Sequence, residues 1–96
     1  MYLKKLPERT VIQLFNAILS LKTEEECMDF FDDLCTMNEL KAFAQRLEVA
    51  RMLKEGDTYI EIQIETGASS STITRVKKLL DYDSDSYGTV LDRIEA

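Results

Sequence analysis

Apolar positions along this chain recur with the helical period, in segments closed by short polar residues and glycines. Val11, Leu14, Ile18 and Leu21 form one stripe within residues 7–22, and Ile12, Phe15 and Leu19 form a second beside it. Pro7 suits the first turn of such a helix. So wide an apolar surface needs cover on most sides, as a central helix in a core or as a helix between subunits. Thr23 and Glu26 make a T-x-x-E capping box that opens a second helix over residues 24–34. Its first turn holds Glu24, Glu25 and Glu26, favoured by the helix dipole, and its expected buried side is Cys27, Met28, Phe30, Phe31 and Leu34. Thr36 and Glu39 open the longest helix, residues 37–55, with Leu40, Phe43, Leu47 and Ala50 on one face and Gly56 at its end. Thr58 and Glu61 open a short helix that stops before Gly67. Ile73, Val76 and Leu80 then make an i, i+3, i+7 stripe. An acidic connector, 81–86, leads to a last helix over 87–95 with Tyr87, Leu91 and Ile94 on one side. The fold class is all-α, a bundle of about six helices in a single domain, residues 1–96.

The segment Gly67-Ala68-Ser69-Ser70-Ser71-Thr72-Ile73-Thr74-Arg75 carries the functional signal. Glycine tolerates φ > 0, so Gly67 can end one helix and turn the chain into the next. Ser69 or Ser70 supplies the cap of that next helix. Ile62, Ala68, Ile73 and Val76 are spaced to face one another across the turn. This is the pattern of a helix-turn-helix over about residues 58–80, whose second helix enters the major groove by its N-terminal residues. The strict alternation of residues 59–65 also fits a strand. The capping box, the bounding glycine and the lack of a partner strand in the sequence favour the helix. The expected DNA-contacting set is Gln63, Ser69, Ser70, Ser71, Thr72, Thr74, Arg75, Lys77 and Lys78. Ser70, Ser71 and Thr74 would face the bases, and the long cationic side chains would reach flanking phosphates.

Gly67-Ala68 followed by Thr72-Ile73-Thr74-Arg75 resembles the recognition-helix signature of the trp repressor superfamily, and residues 38–55 resemble its long central helix. Within that superfamily the chain is most similar to small YerC/YecD-type proteins, over about residues 10–80. The resemblance implies an intertwined homodimer that binds a palindromic operator. It also implies a ligand pocket, because Arg46 and Arg75 match the two arginines that flank an amino-acid corepressor. Two departures argue against tryptophan as that ligand. Val76 stands where the family pattern has a glycine that leaves room for the ring. Leu79 replaces a serine that meets the ligand's amino group, and leucine offers no hydrogen bond. A different small ligand, or none, is expected. Ile60 and Gln63 replace basic residues of the family's first motif helix, so the family's operator sequence does not carry over. Short hydroxyl side chains at 70, 71 and 74 suit water-mediated base contact.

Composition adds limits. The chain has 96 residues, of which 45% are hydrophobic. So much apolar surface in a small domain points to a partner chain, which the resemblance makes a second copy. Net charge is −6, which at first opposes DNA binding, but the acid is unevenly placed. Glu24, Glu25, Glu26, Asp29, Asp32 and Asp33 crowd the second helix, and Asp81, Asp83, Asp85, Asp92 and Glu95 lie beyond the motif. Residues 58–80 set Arg75, Lys77 and Lys78 against Glu61 and Glu65. Affinity for double-stranded DNA is therefore expected to be modest and salt-sensitive. The acidic cluster at 25, 29, 32 and 33 reads as a solvated face, not a metal or acid–base site. Cys27 and Cys35 form no C-x-x-C pair and the chain has no His, so no zinc site is expected and two buried free thiols are. No nucleophile–base pair is evident, so neither enzymatic activity nor a cofactor is expected. No apolar run reaches the ~20 residues of a membrane span, and no secretory signal pattern is evident. A cytoplasmic regulator is the expectation. The competing one is a helical interaction module that kept the fold without DNA binding, with Ile60 or Ile64 exposed for a partner.

Overall fold

The computed structural model describes residues 7–82 and 86–95. They form six helices in chain order: α1 (Glu8–Leu19), α2 (Glu24–Leu34), α3 (Met37–Glu55), α4 (Tyr59–Thr66), α5 (Ser70–Tyr82) and α6 (Ser86–Glu95). The described residues contain no strand, and the alternating segment 59–65 lies in α4. The chain divides into two compact units, Met1–Met37 and Asn38–Ala96.

In the first unit α1 begins just after Pro7, whose carbonyl accepts from the amides of Thr10 and Val11 at 3.2 Å. It ends before the expected residue 22. The Ser20 amide bonds back to Asn16 and Ala17, and the Ser20 hydroxyl donates to the Ala17 carbonyl at 2.6 Å. At the start of α2 the Thr23 hydroxyl oxygen accepts from the Glu26 amide at 3.1 Å. The Glu26 carboxylate reaches past the cap to accept from the Lys22 amide at 2.9 Å. Phe30 and Phe31 meet edge to face, with ring centroids 5.7 Å apart.

Neither α1 nor α2 has a buried residue. This corrects two expectations. Met28 and Leu34 are exposed, while Phe30 and Phe31 are only half-buried. Cys27 is exposed and Cys35 half-buried, so the thiols are free but not buried. The physical reason is common to both. Two amphipathic helices of this length present more apolar surface than one chain covers.

The second unit holds the core: Val49, Ala50 and Met52 from α3, Ile62 from α4, Ala68 in the turn, Ile73 and Val76 from α5, and Leu91 from α6. Leu47, Leu53, Tyr59, Leu80 and Tyr87 pack around it. The facing set of Ile62, Ala68, Ile73 and Val76 therefore forms as its spacing requires. The core face of α3 differs from the expected one. Leu40 and Phe43 are exposed, and Val49, Met52 and Leu53 take their place. Apolar residues surround α3 on all sides, so spacing alone does not select the face that α4, α5 and α6 cover. On α6, Leu91 is buried and Tyr87 half-buried, but Ile94 is exposed. α5 runs through Tyr82, so the first part of the expected connector is helical, and residues 83–85 lie outside the described part.

Candidate nucleic-acid interface

Local chemistry fixes the α4-turn-α5 unit. Thr58 caps α4 reciprocally. Its hydroxyl oxygen accepts from the Glu61 amide at 3.2 Å, and the Glu61 carboxylate accepts from the Thr58 amide at 3.0 Å and from the Thr58 hydroxyl at 2.8 Å. These two donors, the backbone amide first, hold the Glu61 carboxyl below its ordinary range. Gly67 takes φ 72°, the left-handed conformation that glycine adopts without strain, and its amide donates to the Gln63 carbonyl at 2.9 Å. The Thr66 hydroxyl donates to the Ile62 carbonyl at 2.7 Å and accepts from the Ala68 amide at 3.1 Å. Gln45 ties the turn to α3 by donating to the Thr66 carbonyl at 3.1 Å.

Ser69, not Ser70, is the cap of α5. Its oxygen accepts from the Thr72 amide at 3.2 Å, and its hydroxyl donates to the Thr72 hydroxyl at 3.1 Å. Both side chains are thus engaged within the backbone frame. Ser70, Ser71, Thr74, Arg75 and Lys78 share one shallow surface groove of about 380 Å³. All five are exposed, while Ile73 and Val76 on the opposite side are buried. Gln63 is exposed on α4 and does not line this groove. Lys77 also lies outside it and pairs with Asp81 at 3.1 Å. Arg75 and Lys78 have no ion-pair partner among the described residues.

A second cavity, about 300 Å³, is lined by Arg46, Thr72, Arg75, Val76, Leu79 and Tyr87. It brings together the two arginines matched by resemblance, and Arg75 lines both this cavity and the groove. Val76 and Leu79 form part of its wall, and Arg46 lies 5.4 Å from the centroid of the Phe43 ring, a cation–π distance. Sequence reasoning missed Tyr87 here, because nothing in its spacing links α6 to an arginine pair on α3 and α5. No group of three or more Cys, Asp or Glu residues is placed to hold a metal ion among the described residues. No helix among them is long and apolar enough to cross a membrane.

Comparison with known proteins agrees with this geometry. The chain is 59% identical over 95 residues to YerC of Bacillus subtilis (strain 168), covering 99% of this chain and 91% of that one. Among solved structures it is similar to a candidate Trp repressor from Staphylococcus aureus, with TM-score 0.92 and 49% identity over 99% of this chain and 95% of the other. It is also similar to a TrpR-like protein from Eubacterium eligens ATCC 27750, with TM-score 0.90 and 50% identity over 96% and 95% of the two chains. The family model for the Trp repressor protein matches residues 9–95, through both compact units, and the chain belongs to that family of regulatory DNA-binding folds.

Proposed function

We propose that this protein is a sequence-specific transcriptional regulator, a repressor, that binds double-stranded DNA as a homodimer in the cytoplasm. One observation carries the reading. The hydroxyls of Ser70, Ser71 and Thr74 and the cations of Arg75 and Lys78 share one exposed groove at the front of α5, directly over the buried Ile73 and Val76. Short donors and acceptors approach base edges or bridging waters, and cations able to reach phosphates stand beside them. Ser69 and Thr72 position the front of the helix, and Gln63 and Lys77 belong to its margins.

Family membership supports DNA as the partner. The helices without buried residues, α1 and α2, support the homodimer, and the family match over residues 9–95 supports treating residues 1–96 as one domain. The cavity between Arg46 and Arg75 is the place for any effector, and Val76 and Leu79 in its wall disfavour tryptophan. The test is selection of random duplex DNA by the full chain at low salt, followed by titration of the enriched sequence. Enrichment of a palindrome, bound more tightly than its scrambled duplex, is expected. A protein that enriches no sequence overturns the reading. The interaction-module alternative would then stand, and the exposure of Ile60 and Ile64 favours it.

A further inference from the structure

We propose that the outer face of α4 docks a basic amphipathic helical segment of another protein. Ile60 and Ile64 are 69% and 76% exposed, among the most exposed large apolar side chains of the described residues. They stand one helical turn apart and form an apolar row along α4. Glu61 and Glu65 follow at the same spacing and form an acidic row beside it. Ile64 of the apolar row and both glutamates of the acidic row line a groove of about 420 Å³ between α3 and α4, to which Met52 adds apolar surface, and Ile60 stands outside it. Asp57 and Glu48 add further carboxylates to its lining.

Charge selects the occupant. The one cation in the groove, Arg51, is held by Glu48 at 2.7 Å and by Glu55 at 2.8 Å. The Arg51 guanidinium keeps the Glu48 carboxyl below its ordinary range. Asp57 and Glu65 have no ion-pair partner among the described residues. A phosphate backbone is repelled here, and a second copy of the same face would set acid against acid. A helix with two apolar residues one turn apart and a parallel row of Lys or Arg satisfies both rows, as flanking charges do beside the apolar seam of a coiled coil. α4 has only 8 residues, so the contact is small and its affinity low. The two helices of the motif thus carry opposite chemistry. α5 presents hydroxyls and cations, and α4 presents isoleucines and carboxylates.

The inference does not rest on DNA binding, and its test separates the two. The full isotope-labelled chain is titrated with a helical peptide bearing Leu and Lys in parallel rows at one-turn spacing, and with its counterpart carrying Glu for Lys. Saturable shifts of the Ile60 and Ile64 methyl signals and the Glu65 amide are expected with the first peptide only, with Ser70, Ser71 and Thr74 unmoved. Ile64→Ser should weaken binding about tenfold, the scale of losing one apolar anchor. Glu65→Gln should weaken it about threefold, the scale of one exposed ion pair. Neither should change affinity for DNA. Four outcomes overturn the proposal: no saturable shift, equal shifts over the acidic face of α2, Ile60 and Ile64 signals that move on adding DNA, or signals that move with protein concentration alone.

Discussion

Arg75 belongs to two sites at once, because it lines both the α5 surface groove and the cavity that holds Arg46. Its guanidinium is therefore the group through which an occupant of the cavity would alter the surface proposed to face DNA. The neighbours divide by chemistry. In the proposed function Thr74 offers one hydroxyl to a base edge or a bridging water, so Thr74→Val should relax sequence preference at a single position by ~1–3 kcal/mol, the scale of one mismatched base pair. Lys78 reaches from the groove as a point charge. Lys78→Ala should weaken matched and scrambled duplexes alike and flatten the salt slope by about one unit. Lys77 is half-withdrawn by Asp81, so its replacement should matter less. Binding series on both duplexes at several salt concentrations check all three, and equal behaviour of Thr74→Val and Lys78→Ala would contradict the division. The cavity gives a separate prediction. Val76 is 1% exposed and cannot swing aside, and Leu79 has no polar atom for an amino group. Calorimetric titration with tryptophan should show no saturable heat, and binding at millimolar or tighter affinity would count against this account.

The frame of the motif was legible in the sequence because local rules fix it. Thr58 and Glu61, Gly67 and the serine run each have one economical use, and α4 begins and ends, and α5 begins, where those residues put them. The choice between Ser69 and Ser70 was not legible, since either hydroxyl can cap; the Thr72 amide selects Ser69. Ser69→Ala should thus destabilise the fold by ~1 kcal/mol, while Ser70→Ala at an exposed groove position should be near neutral. Denaturant midpoints of the two variants check this, and a larger loss in the second would return the cap to Ser70. The same frame has a pH signature. The Glu61 carboxyl is depressed on folding, so its contribution is fully present above the unfolded value and is lost as pH falls through the folded one. Glu61→Gln keeps the capping geometry without the titration, so acid unfolding should lose part of its steepness in that variant. Less was legible where apolar residues surround a helix. On α3 the sequence pointed to Leu40 and Phe43, and the core instead took Val49 and Met52. Tyr87 joined the arginine cavity through packing of α6, which no local pattern encodes.

At the scale of the whole molecule two quantities matter. The first is charge. A net −6 is compatible with DNA binding because the acid gathers on α2 and after Tyr82, while Arg75 and Lys78 in the α5 groove have no ion-pair partner among the described residues. The second, apolar surface, conflicts with a solitary chain. Ile12, Leu14, Phe15 and Leu19 on α1, Met28 and Leu34 on α2, and Leu40 and Phe43 on α3 are all exposed in one chain. Fully burying one exposed apolar side chain is worth ~1.5–3 kcal/mol; these are 37–81% exposed and gain a fraction of that each, yet the set together is comparable to the stability of a small domain. A second copy can cover them, because a two-fold interface sets the same stripes against themselves. The protein should accordingly be an obligate homodimer whose unfolding midpoint rises with protein concentration, as linkage requires when association and folding are one step. Phe15→Asp should lower that midpoint sharply, because it places a charge within the surface to be buried. An exposed substitution on the acidic face of α2, such as Asp33→Asn, should leave the midpoint nearly unchanged. Sedimentation equilibrium and concentration-dependent melting make the comparison. A folded monomer at micromolar concentration, with a midpoint indifferent to dilution, would mean that the isoleucine, leucine and phenylalanine stripes of α1 to α3 have some other covering.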